Sequence, residues 1–496
     1  MRALRILVPS LVLAVCGCTL GPDHSPLPAL TPPEATRSAA RTMLGQEGTI
    51  GAVWWQSFHD PVLDQLEIQA LGGNLDLAEA SARIGSARAQ DRIAGAVGHP
   101  RIAGGGSYQR ERASPNGILA LTGAGSPSAS AAGGGDPFGT STLPTSSKSD
   151  DYDLFQAGFD ASWELDLWGK ARRIREASRA EAQEAVLQRD AARISLSAEV
   201  ARTYMRLRGA EARLTILHDN RKAVAAGEHI AQRRLSSGAA TRFDAATAGT
   251  QLAAIDAQLP LAEREAAQAR NALALLAGLE PHALDAMLAV PTTVSVQTTT
   301  LPAALPSDLA RHRPDIQAAE AALHAATARI GAAKADFYPS ITLSGSFGLQ
   351  SVTATDFPLW NARQFVAGPV LSLPIFQGGR LKGRLELAQS EQKIAALRYR
   401  ETVLRAWHEI DDALEILRTA DARLTATTEG VAQSRAAAHV SERRYGAGAT
   451  GYIDVLVAER ARLDREAEWI DARTERAIAI TALYKALGGG WTPPSA

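Results

Sequence analysis

The chain has 496 residues, with 52 Lys and Arg against 53 Asp and Glu, and the resulting formal charge of −1 excludes an electrostatic nucleic-acid binder. Aromatics make up only 5%, and outside two Gly/Ser/Thr-rich zones alanine, arginine, leucine and glutamate dominate, a bias that suits long, closely packed helices better than an ordinary globular core. Cys16 and Cys18 are the sole cysteines, so no disulfide framework is expected in the rest of the chain.

Residues 1–17 read as an export signal: Arg2 and Arg5 precede a short apolar stretch, Ile6 to Val15, which is too short to persist as a spanning helix. Cys18 follows the small Gly17, as lipoprotein processing requires, whereas Cys16 follows the bulkier Val15. The lipid is therefore expected on Cys18; the alternative is ordinary signal cleavage nearby. Thr19, in place of an aspartate, fits sorting to the outer membrane. Residues 18–53 then form a lipidated tether, proline-rich to about Met43. No run of eighteen apolar residues follows, so any membrane crossing must use strands.

The rest of the chain is one unit written twice, at 54–280 and 313–488. Asp76 and Pro100 match Asp315 and Pro339 at an offset of 239. Phe155, Arg233 and Gly278 match Phe365, Arg443 and Gly488 at an offset of 210. The difference of 29 places one long Gly/Ser/Pro-rich insertion, residues 113–150, in the first copy. Each unit reads helix, strand, loop, strand, long helix, turn, helix.

Strands are expected at about 100–112 and 152–167, and again at about 339–350 and 364–376, each near the 9 to 11 residues that cross a bilayer as a tilted strand. From Phe155 to Leu167 apolar residues alternate with Gln156, Gly158, Asp160, Ser162, Glu164 and Asp166. A half-buried sandwich strand carries the same pattern, but the chain holds no further strands for a second sheet. Four strands cannot close a barrel, and an open edge does not persist in lipid, so three copies supplying twelve strands are expected.

The helices after strands two and four run from Trp168 to Ser237 and from Gly378 to Ala447, about 70 residues or roughly 105 Å each. The return helices, Thr241 to Gly278 and Gly451 to Gly488, are about 38 residues, and a helix from Leu75 to His99 precedes the first strand. Pro260 predicts a kink. Residues 281–312 read as a connector and 489–496 as a frayed tail. The predicted fold is mainly α with a small transmembrane β part: a trimeric 12-stranded barrel on a 12-helix periplasmic tube.

The G-A-G-A-T-G run at Gly446 has dinucleotide-fingerprint spacing, but it follows a helix and lacks a βαβ unit. Ten scattered histidines show no ligand spacing, so no metal, cofactor or catalytic site is expected. Asp244 and Asp454 lie at equivalent places past the two turns. Thr241 and Asp244 have capping-box spacing, which accounts for Asp244 by structure alone; the alternative is a carboxylate ring at the tube's narrow end, paired with Arg233, Arg234, Arg443 and Arg444 and holding it shut. Trp163 and Trp168 suit an interfacial belt or ordinary packing. Asp160, Glu164 and Asp166 would face the lumen.

Six segments resemble the TolC/OprM-like outer-membrane factors, in the lipoprotein branch that serves RND-type efflux pumps. They are CTLGPDH from Cys18, WWQSFHDPVLDQLEIQALGGNLDLAEA from Trp54, SWELDLWGKARR from Ser162, RPDIQAAE from Arg313, PIFQGGRLKGRL from Pro374 and RRYGAGATGYIDVL from Arg443. The resemblance implies a homotrimer in outer-membrane lipid that acts as the passive exit duct for small molecules, without enzymatic activity. It implies docking through tips at Arg234, Gly238, Arg444 and Gly448 to a periplasmic adaptor and an inner-membrane RND-type pump. It also implies gate roles for Tyr445 and Asp454. Val457 stands where the family often has a second aspartate, so one acidic ring at Asp454, with Asp244, is the expectation. The same fold also serves type I protein secretion, and a structural coiled-coil lipoprotein is the reading of a different class.

Overall fold

A computed structural model describes residues 19–25, 34, 36, 38, 51, 53–112, 151–289, 313–489 and 491. The signal segment, Cys18, the 113–150 insertion and most of the connector lie outside these. The described chain forms two compact units. Among the described residues, a strand unit comprises those of Arg92–Glu176 and Ala328–Ala388 with residues 19–22; a helical unit comprises those of Asp23–Asp91, Ala177–Thr327 and the chain from Gln389.

In the strand unit β1 (Arg101–Arg112), β2 (Asp151–Leu165), β3 (Ser340–Ser351) and β4 (Arg363–Ser372) form one antiparallel sheet in the order β1-β2-β3-β4. The alternation read from the sequence becomes continuous rows, because directly paired residues share a face. Phe159 pairs Phe347, which pairs Phe365, and Leu165 pairs Ile341, which pairs Leu371. Two predicted strand ends move inward: β2 stops at Leu165 rather than 167, and β4 at Ser372 rather than 376.

Helices carry the rest. α1 (Pro61–Gly73) and α2 (Leu75–Ala96) precede the sheet; α3 (Lys170–Ser236), α4 (Arg242–Leu276) and the short α5 (Asp285–Leu288) follow β2. α6 (Pro314–Ala335) leads into β3, and α7 (Arg380–Gly446) and α8 (Tyr452–Ala486) follow β4. The repeat is exact in length, with 67 residues in α3 and α7 and 35 in α4 and α8. At 1.5 Å per residue a 67-residue helix is about 100 Å long. α2 ends at Ala96, short of His99. Pro260 lies inside α4, which continues as one helix through it. The Trp491 indole donates to Asp190 at 3.0 Å.

Both turns between long and return helices close in the same way. Gly238 and Gly448 adopt φ of 73° each, a left-handed conformation that favours glycine. Ala239 N–H reaches Arg234 O and Gly238 N–H reaches Leu235 O; Ala449 and Gly448 repeat this on Arg444 and Tyr445. These are Schellman closures.

The core of the helical unit joins Trp54, Trp55 and Phe58, in a single 3-10 turn, to Leu63 and Leu66 of α1, Tyr204 and Met205 of α3, Ile410 of α7 and Tyr484 of α8. Asp60 sits at its edge. Its carboxylate accepts from Val62 N and Leu63 N at the start of α1 and from the buried Tyr204 hydroxyl at 2.6 Å. Arg208 donates to that hydroxyl at 3.0 Å and to Glu211 and Leu288 O. Asp60→Ala removes a helix cap and leaves a buried hydroxyl without its acceptor, so a loss of about 2 kcal/mol is expected, read as a lowered denaturation midpoint with Tyr204→Phe losing less.

Candidate functional site

Two regions carry the residues singled out above. On one face of the sheet Asp160 lies between Ala103 and Ser346, and Ser162 between Arg101 and Ser344, with Glu164 opposite Thr342. Arg101, Asp160, Ser162, Ser344 and Ser346, together with Ala103 and Val366, line a shallow groove of mixed polarity. The opposite face is apolar from Phe155 to Leu165, ten steps of about 3.3 Å, or roughly 25 Å of height at a barrel-like tilt. Beyond Phe155 that face turns charged: Arg110 lies 3.7 Å from Asp153, and Arg112 pairs Asp151 across the strands. An apolar band of bilayer height bounded by charge on one side and polar on its back is the surface of a membrane-crossing sheet.

Asp166 does not join the polar row. It lies past the end of β2, where its carboxylate accepts from Ala171 N and Arg172 N at 3.0 Å each and holds the first turn of α3. Trp163 donates to Gly98 O at 3.0 Å and Trp168 to Pro339 O at 2.7 Å, so both indoles are tied at the sheet's helical end. The described part of the tether follows the same end: Leu20 N–H donates to Trp168 O, and Arg173 donates back to Leu20 O.

The turns between long and return helices form the second region. Thr241 and Asp244 make a complete capping box, with Asp244 N donating to the Thr241 hydroxyl and Thr241 N to the Asp244 carboxylate. These bonds from Thr241 hold the Asp244 carboxyl below the usual range. Asp454 has Gly451 in place of Thr241. Its backbone N–H reaches Gly451 O at 3.2 Å, and its exposed carboxylate accepts no hydrogen bond among the described residues. Among the described residues of one chain, Arg233, Arg234, Arg443 and Arg444 make no ion pair with these aspartates. Arg234 instead lies over the Tyr445 ring, 4.5 Å from its centroid.

Tyr445 in turn packs on Tyr452, ring centroids 5.3 Å apart. The Tyr452 hydroxyl lies against Gly227 of α3: a Cβ built there would sit 1.8 Å from the oxygen. Sequence reasoning passed over Tyr452 and Gly227, although a glycine inside a long alanine-rich helix, where it costs about 1 kcal/mol relative to alanine, signals close packing. The result is a stack from Arg234 through Tyr445 to Tyr452 that joins the first repeat's hairpin to the second's.

A four-stranded amphipathic sheet with open edges, built into paired helices of this length, defines a component of an outer-membrane channel. The family model for outer membrane efflux proteins matches residues 68–279 and 305–489. The pyoverdine export outer membrane protein OpmQ of Pseudomonas putida is 31% identical over 494 residues, spanning 100% of this chain and 98% of that one. The cation efflux system protein CusC of Escherichia coli is 29% identical over 509 residues, spanning 99% and 100%. The solved outer-membrane channel OprN superposes with a TM-score of 0.83 at 31% identity, covering 96% of this chain and 100% of that one. The chain belongs to the outer membrane efflux protein family, and it is an outer-membrane efflux channel with a large periplasmic portion.

Proposed function

We propose that three copies close a 12-stranded barrel over a 12-helix tube that acts as a passive exit duct for small molecules, anchored through a lipid on Cys18. The observation that carries this is the sheet: one face apolar over the height of a bilayer, and β1 and β4 each with one edge unpaired within the chain. Asp160 and Glu164 then line the lumen on its polar face. The turns at Arg234, Gly238, Arg444 and Gly448 are the periplasmic tips that a periplasmic adaptor grips, with an inner-membrane RND-type pump supplying the energy. Asp244 is capped and Asp454 is not, which favours Asp454 as the acidic ring of the closed end, backed by Tyr445.

Removing that ring should raise conductance. Asp454→Ala in the purified trimer is expected to give at least tenfold more open-channel time in a planar bilayer than the parent protein, with Asp244→Ala changing it far less. Absence of any unitary current, even from Asp454→Ala, would sink the duct reading.

A further inference from the structure

The repeat duplicates the sheet but not the charge on its polar face. At the helical end of that face the first hairpin carries Arg101, Asp160 and Glu164, and by the repeat offsets these correspond to Ser340, Val370 and Pro374. β3 and β4 form the same antiparallel pair with no charged residue on the polar face. The three charges are therefore not what makes the hairpin fold. Side chains that one copy of a unit does without are available to act on what passes along the face.

Strand pairing fixes their heights. From the helical end Glu164 comes first, opposite Thr342; Arg101 follows in the row of Ser162 and Ser344, and Asp160 lies one row further out, between Ala103 and Ser346. Successive rows on one face are about 6.6 Å apart and neighbouring strands about 4.8 Å, so the Arg101 and Asp160 backbones are separated by about 8 Å. Both residues are exposed, and among the described residues neither forms an ion pair with the other or with any third group. At physiological ionic strength charges about 8 Å apart are largely screened from each other, so each remains open to its own counter-group. The hollow they share with Ser162, Ser344 and Ser346 measures about 470 Å³. The next row outwards, Gly105, Gly158 and Gly348, has no side chains to continue it.

We propose that Arg101 and Asp160 form a lumenal subsite for zwitterionic solutes, those with a carboxylate and an ammonium group on one short chain. The inference rests on the duct reading and names what this stretch of the wall selects. Arg101 offers the planar fork that a carboxylate accepts through two hydrogen bonds, with the Ser162 hydroxyl beside it as a further donor. Asp160 receives the ammonium, with the Ser346 hydroxyl beside it as a further acceptor. The order of the rows also discriminates against simple ions. A solute with only a positive charge is drawn to Glu164 and then repelled at Arg101, and one with only a negative charge is repelled at Glu164 and again at Asp160. A zwitterion about as long as the row spacing satisfies both charges at once.

The test is block of the ion current through the full-length trimer in a planar bilayer at about 0.15 M KCl, with Asp454→Ala in every protein so that the duct conducts. ε-Aminocaproate should halve the current at a concentration at least threefold below that needed for caproate or hexylammonium, because each exposed charge contact is worth up to about fivefold in affinity. Arg101→Gln and Asp160→Asn should each remove that advantage, and Arg101→Gln should also raise the potassium-over-chloride permeability ratio at least threefold. Arg101→Asp combined with Asp160→Arg restores the pair in reverse order and should recover the advantage, which a merely structural role for either residue would not do. Circular dichroism checks that each variant keeps its strand and helix content. Equal block by the three probes in the protein with both residues intact, or undiminished block in Arg101→Gln, overturns the subsite and leaves the duct standing; a trimer without unitary current overturns both.

Discussion

Gly227→Leu should hold the channel open. The substituted side chain cannot coexist with Tyr452, because its Cβ alone would lie 1.8 Å from the Tyr452 hydroxyl oxygen and 3.1 Å from the ring carbon bearing it. The tyrosine must swing out, since the glycine sits on the backbone of a 67-residue helix that does not yield locally. Burial pushes the Tyr452 phenol up from its ordinary pKa, so the ring that leaves is a neutral, partly desolvated one. Losing the Tyr445–Tyr452 contact costs about 1 kcal/mol, and loosening Arg234 over Tyr445 about 1 more. Three protomers together forfeit about 6 kcal/mol, which by population arithmetic moves a closed-to-open ratio by roughly 10⁴. The measurement is open probability in a planar bilayer. Gly430→Leu is the control, because a Cβ there meets only Arg465 Cδ at an ordinary 3.6 Å, and it should behave as the parent. A folded Gly227→Leu trimer that stays as closed as the parent would show that this stack does not hold the turns together.

The fold was legible where the physics is periodic. Matching Asp76 to Asp315 and Gly278 to Gly488 exposed the duplication, and the alternation from Phe155 defined a face that the pairing of Phe159, Phe347 and Phe365 continues across the sheet. Local signals also sufficed at Thr241 and Asp244, whose capping box forms as spaced. What sequence could not supply is contact between distant elements. Asp166 continues the alternation by parity, yet the backbone leaves the sheet one residue earlier and its carboxylate closes a helix instead. The pairing of Tyr452 with Gly227 links residues 225 positions apart, and nothing local to either predicts the other. Arg234 lies over the Tyr445 ring rather than pairing with an aspartate, a choice that only tertiary geometry decides. α1 was not read from the sequence, although its buried Leu63, Leu66 and Ala70 fall at the i, i+3, i+7 spacing of one helix face.

Glu67 should make this protein lose stability as pH rises, and Glu67→Gln should abolish that loss. The side chain is fully buried on α1 within the core of the helical unit, and neither carboxyl oxygen forms a hydrogen bond of good geometry. Burial raises its pKa from 4.5 to about 9; the nearby Ser197 hydroxyl offsets this only in part, and Asp64 adds to the rise. The folded protein therefore keeps the proton at neutral pH while the unfolded chain gives it up. A carboxyl with a raised folded pKa contributes its full stability below the unfolded value, and that stability drains away as pH climbs from about 4.5 towards 9. Each pH unit within that window costs about 1.4 kcal/mol, so the accumulated loss at pH 7 is about 3 kcal/mol. Glutamine keeps the shape and polarity of the protonated acid but has no proton to lose. Its denaturation midpoint should match the parent near pH 5, exceed it clearly at pH 7, and exceed it further at pH 8.5. Parallel midpoint-against-pH curves for the two proteins would mean that Glu67 is ionised in the fold and has found a partner there. Glu67 of α1 lies beside Ser197 of α3, and Asp60 at the start of α1 binds Tyr204 of α3, so a proton lost from Glu67 weakens the contact between these two helices.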